Sequence, residues 1–85
     1  MAHRLTKSQK AKLDRLNKAL EGSWDEMDKK SRRLVAINDD PESKDSWIEA
    51  ITSLAYAGVD YHTNHNVVFA YRDELEANGV DPKYL

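Results

Sequence analysis

The stretch WIEAITSLAYAGVDYHTNHNVVFAYRDELEANG, residues 47–79, decides how many helices this chain can form. Apolar and aromatic residues recur in it at steps of three, four and seven, which is the spacing of neighbours on one face of a helix. The stripe consists of Trp47, Ile51, Leu54, Gly58, Tyr61, His65, Val68 and Leu75. A single long helix that ends at Asn78-Gly79 would satisfy this pattern.

Residues 58–66 favour a break in that helix instead. Glycine inside a helix costs about 1 kcal/mol relative to alanine, and the short polar side chains of Asp60 and Asn64 compete for backbone hydrogen bonds. Val67-Val68, which follow, are β-branched. We therefore expect two helices here, at about 41/46–57 and 60/66–78, and keep one long helix as the alternative.

The first half of the chain carries the signals of two more helices. Three capping boxes, each a hydroxyl at the N-cap and an amide or carboxylate three residues later, mark helix starts. They are Thr6-x-x-Gln9, Ser23-x-x-Glu26 and Ser46-x-x-Glu49. Gly22 acts as a helix stop, and Pro41 ends the next helix because proline disfavours a helical residue before it. The expected helices are 7–21 and 24–38.

The third helix has two candidate starts. Either Asp40 caps a helix that begins at Pro41, or the helix begins at the Ser46 box. No segment alternates with a period of two for long enough to suggest a strand. The sequence thus predicts an all-α fold, a small bundle of three to four helices that forms one domain over residues 1–85.

Size and composition exclude several classes of protein. A chain of 85 residues supports one small core with a margin of a few kcal/mol, so self-association into a homodimer would be a natural supplement. The absence of cysteine excludes disulfide staples and thiolate metal sites. Neither a signal peptide nor an apolar run of about 18 residues is present. We therefore expect a cytoplasmic protein with no membrane partner.

Charge is divided between the two halves of the chain. Ten of the thirteen Lys and Arg residues lie in the first 34 positions, and ten of the fifteen Asp and Glu residues follow them. Part of the basic half is explained by acid-to-base pairs at i,i+4 on the second helix. These pairs are Asp25-Lys29, Glu26-Lys30 and Asp28-Arg32.

Two charge clusters remain, each at an unfavourable helix end. They are the basic cluster Lys7, Lys10 and Lys12 at the start of the first helix, and the acidic cluster Asp73, Glu74 and Glu76 near the end of the last. In an up-down-up-down bundle these two ends are neighbours. We expect the clusters to neutralise each other, within one chain or across a dimer, or to meet a partner.

The sequence offers little for catalysis or metal binding. His62 and His65 stand three residues apart, whereas the two-histidine zinc motif of helices needs a spacing of four with a glutamate between. We expect a hydrogen-bonded pair or a polar surface patch there, with no metal and no cofactor. There is no phosphate-binding glycine loop, nucleophile elbow or carboxylate dyad, so we predict that the protein is not an enzyme.

These observations favour a small non-enzymatic helical protein that binds and modulates another macromolecule, as an adapter or inhibitor does. A protein partner is expected, and tryptophan and tyrosine are residue types that dominate interface hot spots. The candidate interaction residues are Lys7, Lys10, Lys12, Trp24, Trp47, Tyr56, Tyr61, His62, His65, Asp73, Glu74 and Glu76. Small modulators encoded by phages and mobile elements share this size and this lack of catalytic groups.

A nucleic-acid-binding or polymerase-accessory module that uses the basic half is the alternative function. The isoelectric point of about 5.9 weighs against it, as does the absence of aromatic residues among the basic clusters. Asp14–Asn17 and Leu54–Val59 each resemble a short part of the theta subunit of bacterial DNA polymerase III, a small three-helix accessory protein. Pro41-Glu42 and Ser46-Trp47 resemble another part of it, but Leu54–Val59 follows this proline-tryptophan stretch here and precedes it in that family, so no residue role is transferred.

Overall fold

The computed structural model describes residues 2–43 and 46–85, and it contains two long helices. Helix α1 spans Lys7–Asp39, helix α2 spans Trp47–Ala77, and a short 3-10 helix spans Pro82–Tyr84. The two long helices pack against each other as an antiparallel hairpin, a rod of 62 × 17 × 15 Å. The all-α prediction is confirmed, but the prediction of three to four helices is wrong.

Helix α1 passes without interruption through the position where a stop was predicted. The Ser23 Oγ donates a hydrogen bond to the Leu20 carbonyl at 2.9 Å, so this hydroxyl lies inside a helix and does not cap a new one. A Cβ added to Gly22 would meet no atom within 4 Å. The predicted boundary between 7–21 and 24–38 is therefore wrong, because neither residue ends the helix.

A row of residues at alternating steps of three and four explains this continuity. The row consists of Leu13, Leu16, Leu20, Ser23, Met27, Lys30, Leu34 and Ile37, all buried or half-buried. Such a row is the seam of a coiled coil, and it crosses Gly22 without a change of register. Packing along the whole seam outweighs the cost of about 1 kcal/mol for one glycine in a helix.

Helix α2 has a matching seam, so the favoured break within residues 58–66 is also wrong. Its seam consists of Ala50, Leu54, Ala57, Tyr61, Asn64, Val68, Tyr71 and Leu75, again all buried or half-buried. Gly58 lies beside this row, not in it. The alternative of one long helix through the stretch is the arrangement that the structure shows.

The helix ends agree with two of the three predicted caps. The Thr6 Oγ1 accepts from the Gln9 backbone N–H at 3.1 Å, and the Gln9 Oε1 accepts from the Thr6 N–H at 2.9 Å. The Ser46 Oγ accepts from the Glu49 N–H at 3.2 Å, and Ser46 is the N-cap of α2. A start at Pro41 is wrong, because Asp40 instead follows the end of α1.

The start and the end of the chain are joined beside the first turns of α1. The His3 N–H donates to the Gly79 carbonyl at 2.8 Å, and the Asp81 N–H donates to the His3 carbonyl at 2.9 Å. Beneath this connection the buried side chains of Leu13, Leu75 and Val80 form one cluster. The antiparallel hairpin is therefore best packed at the end that holds both termini.

Replacing Gly22 with alanine should raise the free energy of unfolding by about 0.5–1 kcal/mol. The added Cβ meets nothing within 4 Å, and alanine loses less backbone entropy on folding. Urea denaturation followed by circular dichroism measures the change.

Gly79→Ala is the matched control for this prediction. Gly79 has a φ of 95°, which an L side chain disfavours by about 1–2 kcal/mol, so this variant should lose stability. A loss of stability in Gly22→Ala as well would contradict a continuous α1.

Candidate interaction surface

The hairpin exposes more surface than a compact protein of its mass. Its accessible surface is 6422 Å², whereas a compact chain of this mass exposes about 5,200 Å². Its radius of gyration is 18.1 Å, compared with about 12 Å for a compact domain of this length. The excess, roughly 1,200 Å², is surface that a second pair of helices covers in an ordinary four-helix bundle.

Much of the exposed surface is apolar. The exposed large apolar side chains are Trp24, Val35, Trp47, Ile48, Ile51, Tyr56, Val59, Val67 and Phe69. Ile48 and Tyr56 are the extreme cases, each 70% exposed. Single exposed apolar residues are normal on protein surfaces, so their arrangement, more than their number, carries information.

One long side of the hairpin is polar and contains a shallow cleft of about 280 Å³. The cleft is lined by Glu26, Lys30, Ser53, Tyr56, Ala57 and Asp60. The Lys30 Nζ lies 3.6 Å from the Glu26 Oε1 within this lining. Three of the six lining residues are charged, so the composition is that of a solvated surface.

On the opposite long side the flank of α2 is nearly free of charge, and we call the uncharged residues of this side the apolar face. It consists of Trp24 and Ser31 from α1 and Ile48, Ile51, Ala55, Gly58, His62, His65 and Phe69 from α2. On α2 these residues follow the same steps of three and four as the seam, displaced to one flank of it. The set contains no Asp, Glu, Lys or Arg.

The two helices contribute to the same face because they are antiparallel. Trp24 directly follows the seam residue Ser23, just as Gly58 directly follows the seam residue Ala57. In an antiparallel pair, the flanks that follow the seam in this way lie side by side. Trp24 is 48% exposed, so about half of its indole is open on this face.

The histidines belong to this face as parts of stacked and hydrogen-bonded pairs. The His65 ring centroid lies 4.4 Å from that of Phe69 and 6.1 Å from that of Tyr61. His62 Nε2 lies 3.2 Å from Asn66 Nδ2. Among the described residues, no group of three or more potential ligands is placed to hold a metal ion.

Gly58 leaves a notch near the middle of the apolar face. A Cβ built at this position would meet no atom within 4 Å, so nothing within the hairpin requires a glycine there. Ala55, three residues earlier in the same row, is also small and exposed. Glycine on a helix surface permits a close approach of another backbone.

The two predicted charge clusters lie at the same end of the hairpin but do not pair directly. Lys12 Nζ lies 4.4 Å from the centroid of the Tyr71 ring on α2. In the described part of the chain, no ion pair joins the basic cluster to the acidic cluster. Of the predicted helix pairs, Glu26–Lys30 is formed at 3.6 Å and Asp28–Arg32 at 3.0 Å, while Asp25–Lys29 is not.

The structure brings some of the predicted interaction residues together and separates others. Trp24, His62 and His65 share the apolar face, whereas Tyr56 borders the polar cleft and Trp47 lies at the start of α2. Sequence reasoning missed Ile48, Ile51, Gly58 and Phe69 as members of one surface. Their steps of three and four were a signal for it, since they form a second row beside the seam.

Lys12→Gln should be less stable than Lys10→Gln by about 0.5–1 kcal/mol, the worth of an exposed cation–π contact. Both variants remove a cation from the positive end of α1 and so share any gain from the helix dipole. Urea denaturation of the two variants gives the difference. Repeating the pair in a Tyr71→Leu background should abolish it, and an unchanged difference would contradict the contact.

Among residues 2–43 and 46–85, neither long helix has the apolar length needed to cross a membrane. Comparison with protein-family models, curated proteins and solved structures gives no match to this chain.

Proposed function

We propose that this chain is a non-enzymatic interaction protein that binds another protein through the apolar face, as an adapter or inhibitor does. The observation that carries the proposal is the composition of α2. Residues 50–71 contain a single charged residue, Asp60, although α2 is covered by α1 along only one side. A helix that is apolar on more than one side is ordinarily packed on more than one side.

The side chains of the apolar face are suited to act as anchors. Trp24 and Phe69 supply aromatic area at low cost in side-chain entropy, and aromatic residues are enriched in interface hot spots. Covering a fully exposed side chain of this size contributes about 1.5–3 kcal/mol. Because Trp24 and Phe69 are already about half covered, at 48% and 43% exposed, each contributes less than that.

A nucleic-acid partner has weaker support. Phosphate binding needs free Lys and Arg side chains, and two of the ten in the basic half, Lys30 and Arg32, are engaged with acids of the same helix. The chain also has a formal net charge of −2. Binding to DNA or RNA that weakens steeply with rising salt would favour this alternative.

The experiment is affinity capture from a lysate of the native host, with and without nuclease, using a tagged chain. The test variant is Ile51→Lys with Phe69→Lys, which puts two charges on the apolar face. The matched control, Thr63→Lys with Ala70→Lys, puts two charges at exposed positions on the other flank of α2. Both variants should keep their helix content, measured by circular dichroism.

We expect protein to be captured by the wild-type chain and by the control, insensitive to nuclease, and at least about tenfold less by the test variant, equivalent to the loss of about 1.4 kcal/mol. Equal capture by the two variants would contradict binding through this face. Loss of the captured material on nuclease treatment would favour the nucleic-acid alternative.

A further inference from the structure

We propose that the occupant of the apolar face is a second copy of this chain, so that two hairpins form an antiparallel four-helix bundle whose two-fold axis passes beside Gly58. This inference rests on the proposed function, since it names the partner of the same face.

The size of the face matches what a stable dimer buries. Helix α2 has 31 residues and is therefore about 46 Å long, and the rod is 17 Å wide. One long side thus presents on the order of 800 Å², the area that each partner contributes to a standard interface. This is less than the excess accessible surface of roughly 1,200 Å², so a second copy is large enough to account for most of it.

The row on α2 is complementary to itself when it is reversed about Gly58. Positions equidistant from this glycine then face each other, and Ile51 lies opposite the partner's His65. Ile48 and the partner's Phe69, ten and eleven residues from Gly58, lie nearly opposite each other, as do the small Ala55 and the partner's His62, three and four residues from it. Each apolar or small residue meets a ring, which is the complementarity that an isologous two-fold interface requires.

The side chains of α1 place the two-fold axis at the same level as those of α2 do. The cleft places residues 26–30 of α1 beside residues 53–60 of α2, so Gly58 lies level with the part of α1 between residues 26 and 30. Trp24 and Ser31 are about equally far from that level, one on each side. The same two-fold axis therefore sets the large Trp24 opposite the partner's Ser31, and Asn17 opposite the partner's Asn38.

Charge does not oppose the pairing of the two α2 helices. On α2 the face contains no ionisable side chain other than the two histidines, so the two copies of α2 meet without like-charge repulsion among Asp, Glu, Lys and Arg. On α1 the corresponding flank carries the acids Asp14, Glu21 and Asp28, of which Asp28 is paired with Arg32 at 3.0 Å. Arg72 follows Phe69 at the end of the face, and its Cζ lies 5.0 Å from the centroid of the Phe69 ring. This contact holds the guanidinium away from the two-fold axis at Gly58.

Gly58 gains a role in this arrangement that it lacks in the single hairpin. Where two helices cross at a glycine, their backbones can approach closely because no side chain separates them. The notch beside Gly58, which is open in one hairpin, would be closed by the partner's α2. A large side chain at position 58 is therefore incompatible with the dimer but compatible with the hairpin.

Analytical ultracentrifugation of Gly58→Arg and Gly22→Arg tests the proposal. Both replace a helical glycine at which an added Cβ meets no atom within 4 Å by a good helix former, so both should fold, and circular dichroism checks that they do. The wild type and Gly22→Arg should be dimers at about 100 μM, since standard interfaces give dissociation constants of about 1 μM or tighter. Gly58→Arg should dissociate at least about 100-fold more readily, as loss of a central contact does.

Crosslinking then tests the direction of packing, because the chain has no cysteine of its own. Gly58→Cys should form a disulfide with a second Gly58→Cys chain under mild oxidation, since the two Cα atoms would lie about 4.4–6.8 Å apart. Ile51→Cys should not link to itself but should link to His65→Cys when the two variants are mixed. Gly22→Cys is the control and should stay unlinked.

The possible failures separate this inference from the proposed function. A wild-type chain that stays monomeric at about 100 μM, or Ile51→Cys chains that link to themselves, would overturn the antiparallel dimer. If a monomeric chain still captured a different protein, and Ile51→Lys with Phe69→Lys abolished that capture, only the identity of the partner would be wrong. A monomer without face-dependent capture would overturn both.

Discussion

The packing of one seam on α1 against one seam on α2 is the interaction on which the rest of the structure depends. Each seam repeats at steps of three and four over the full length of its helix, so every turn adds a contact of the same kind. Local features that would end a helix in isolation, such as Gly22 and Gly58, lie outside both seams. They cost about 1 kcal/mol each, while the contacts that continue on both sides of them are retained.

The same packing covers only one side of each helix. For α1 this is sufficient, because charged residues dominate its remaining surface and favour contact with water. For α2 it is not, because a second flank from Ile48 to Phe69 carries no Asp, Glu, Lys or Arg. The uncharged flank of α2 is thus the basis for assigning a binding surface to that side of the hairpin. The side with the charged cleft is assigned as a solvated surface.

The fold class, the Thr6 and Ser46 caps and the helix end at Asn78 could be predicted from sequence because each depends on local chemistry. The number of helices could not be predicted by weighing local signals alone. Gly22 and Ser23 resemble a stop and a start, and only the register of the seam from Leu20 to Met27 shows that they are neither. The site was harder, because the stripe that begins at Trp47 mixes seam residues with apolar-face residues, and only the position of α1 separates them.

The seam is not equally strong along its length. Its buried leucines, Leu13 and Leu75, lie near the end that holds both termini, whereas the buried residues toward the loop are Ala50 and Ala57, which remove little apolar area from water. In a rod of two helices, each layer of seam side chains packs only against the layers before and after it, as in repeat proteins. Local opening therefore begins at the loop and advances toward the termini, so amide hydrogens near Ser46 exchange with solvent before those near Leu75.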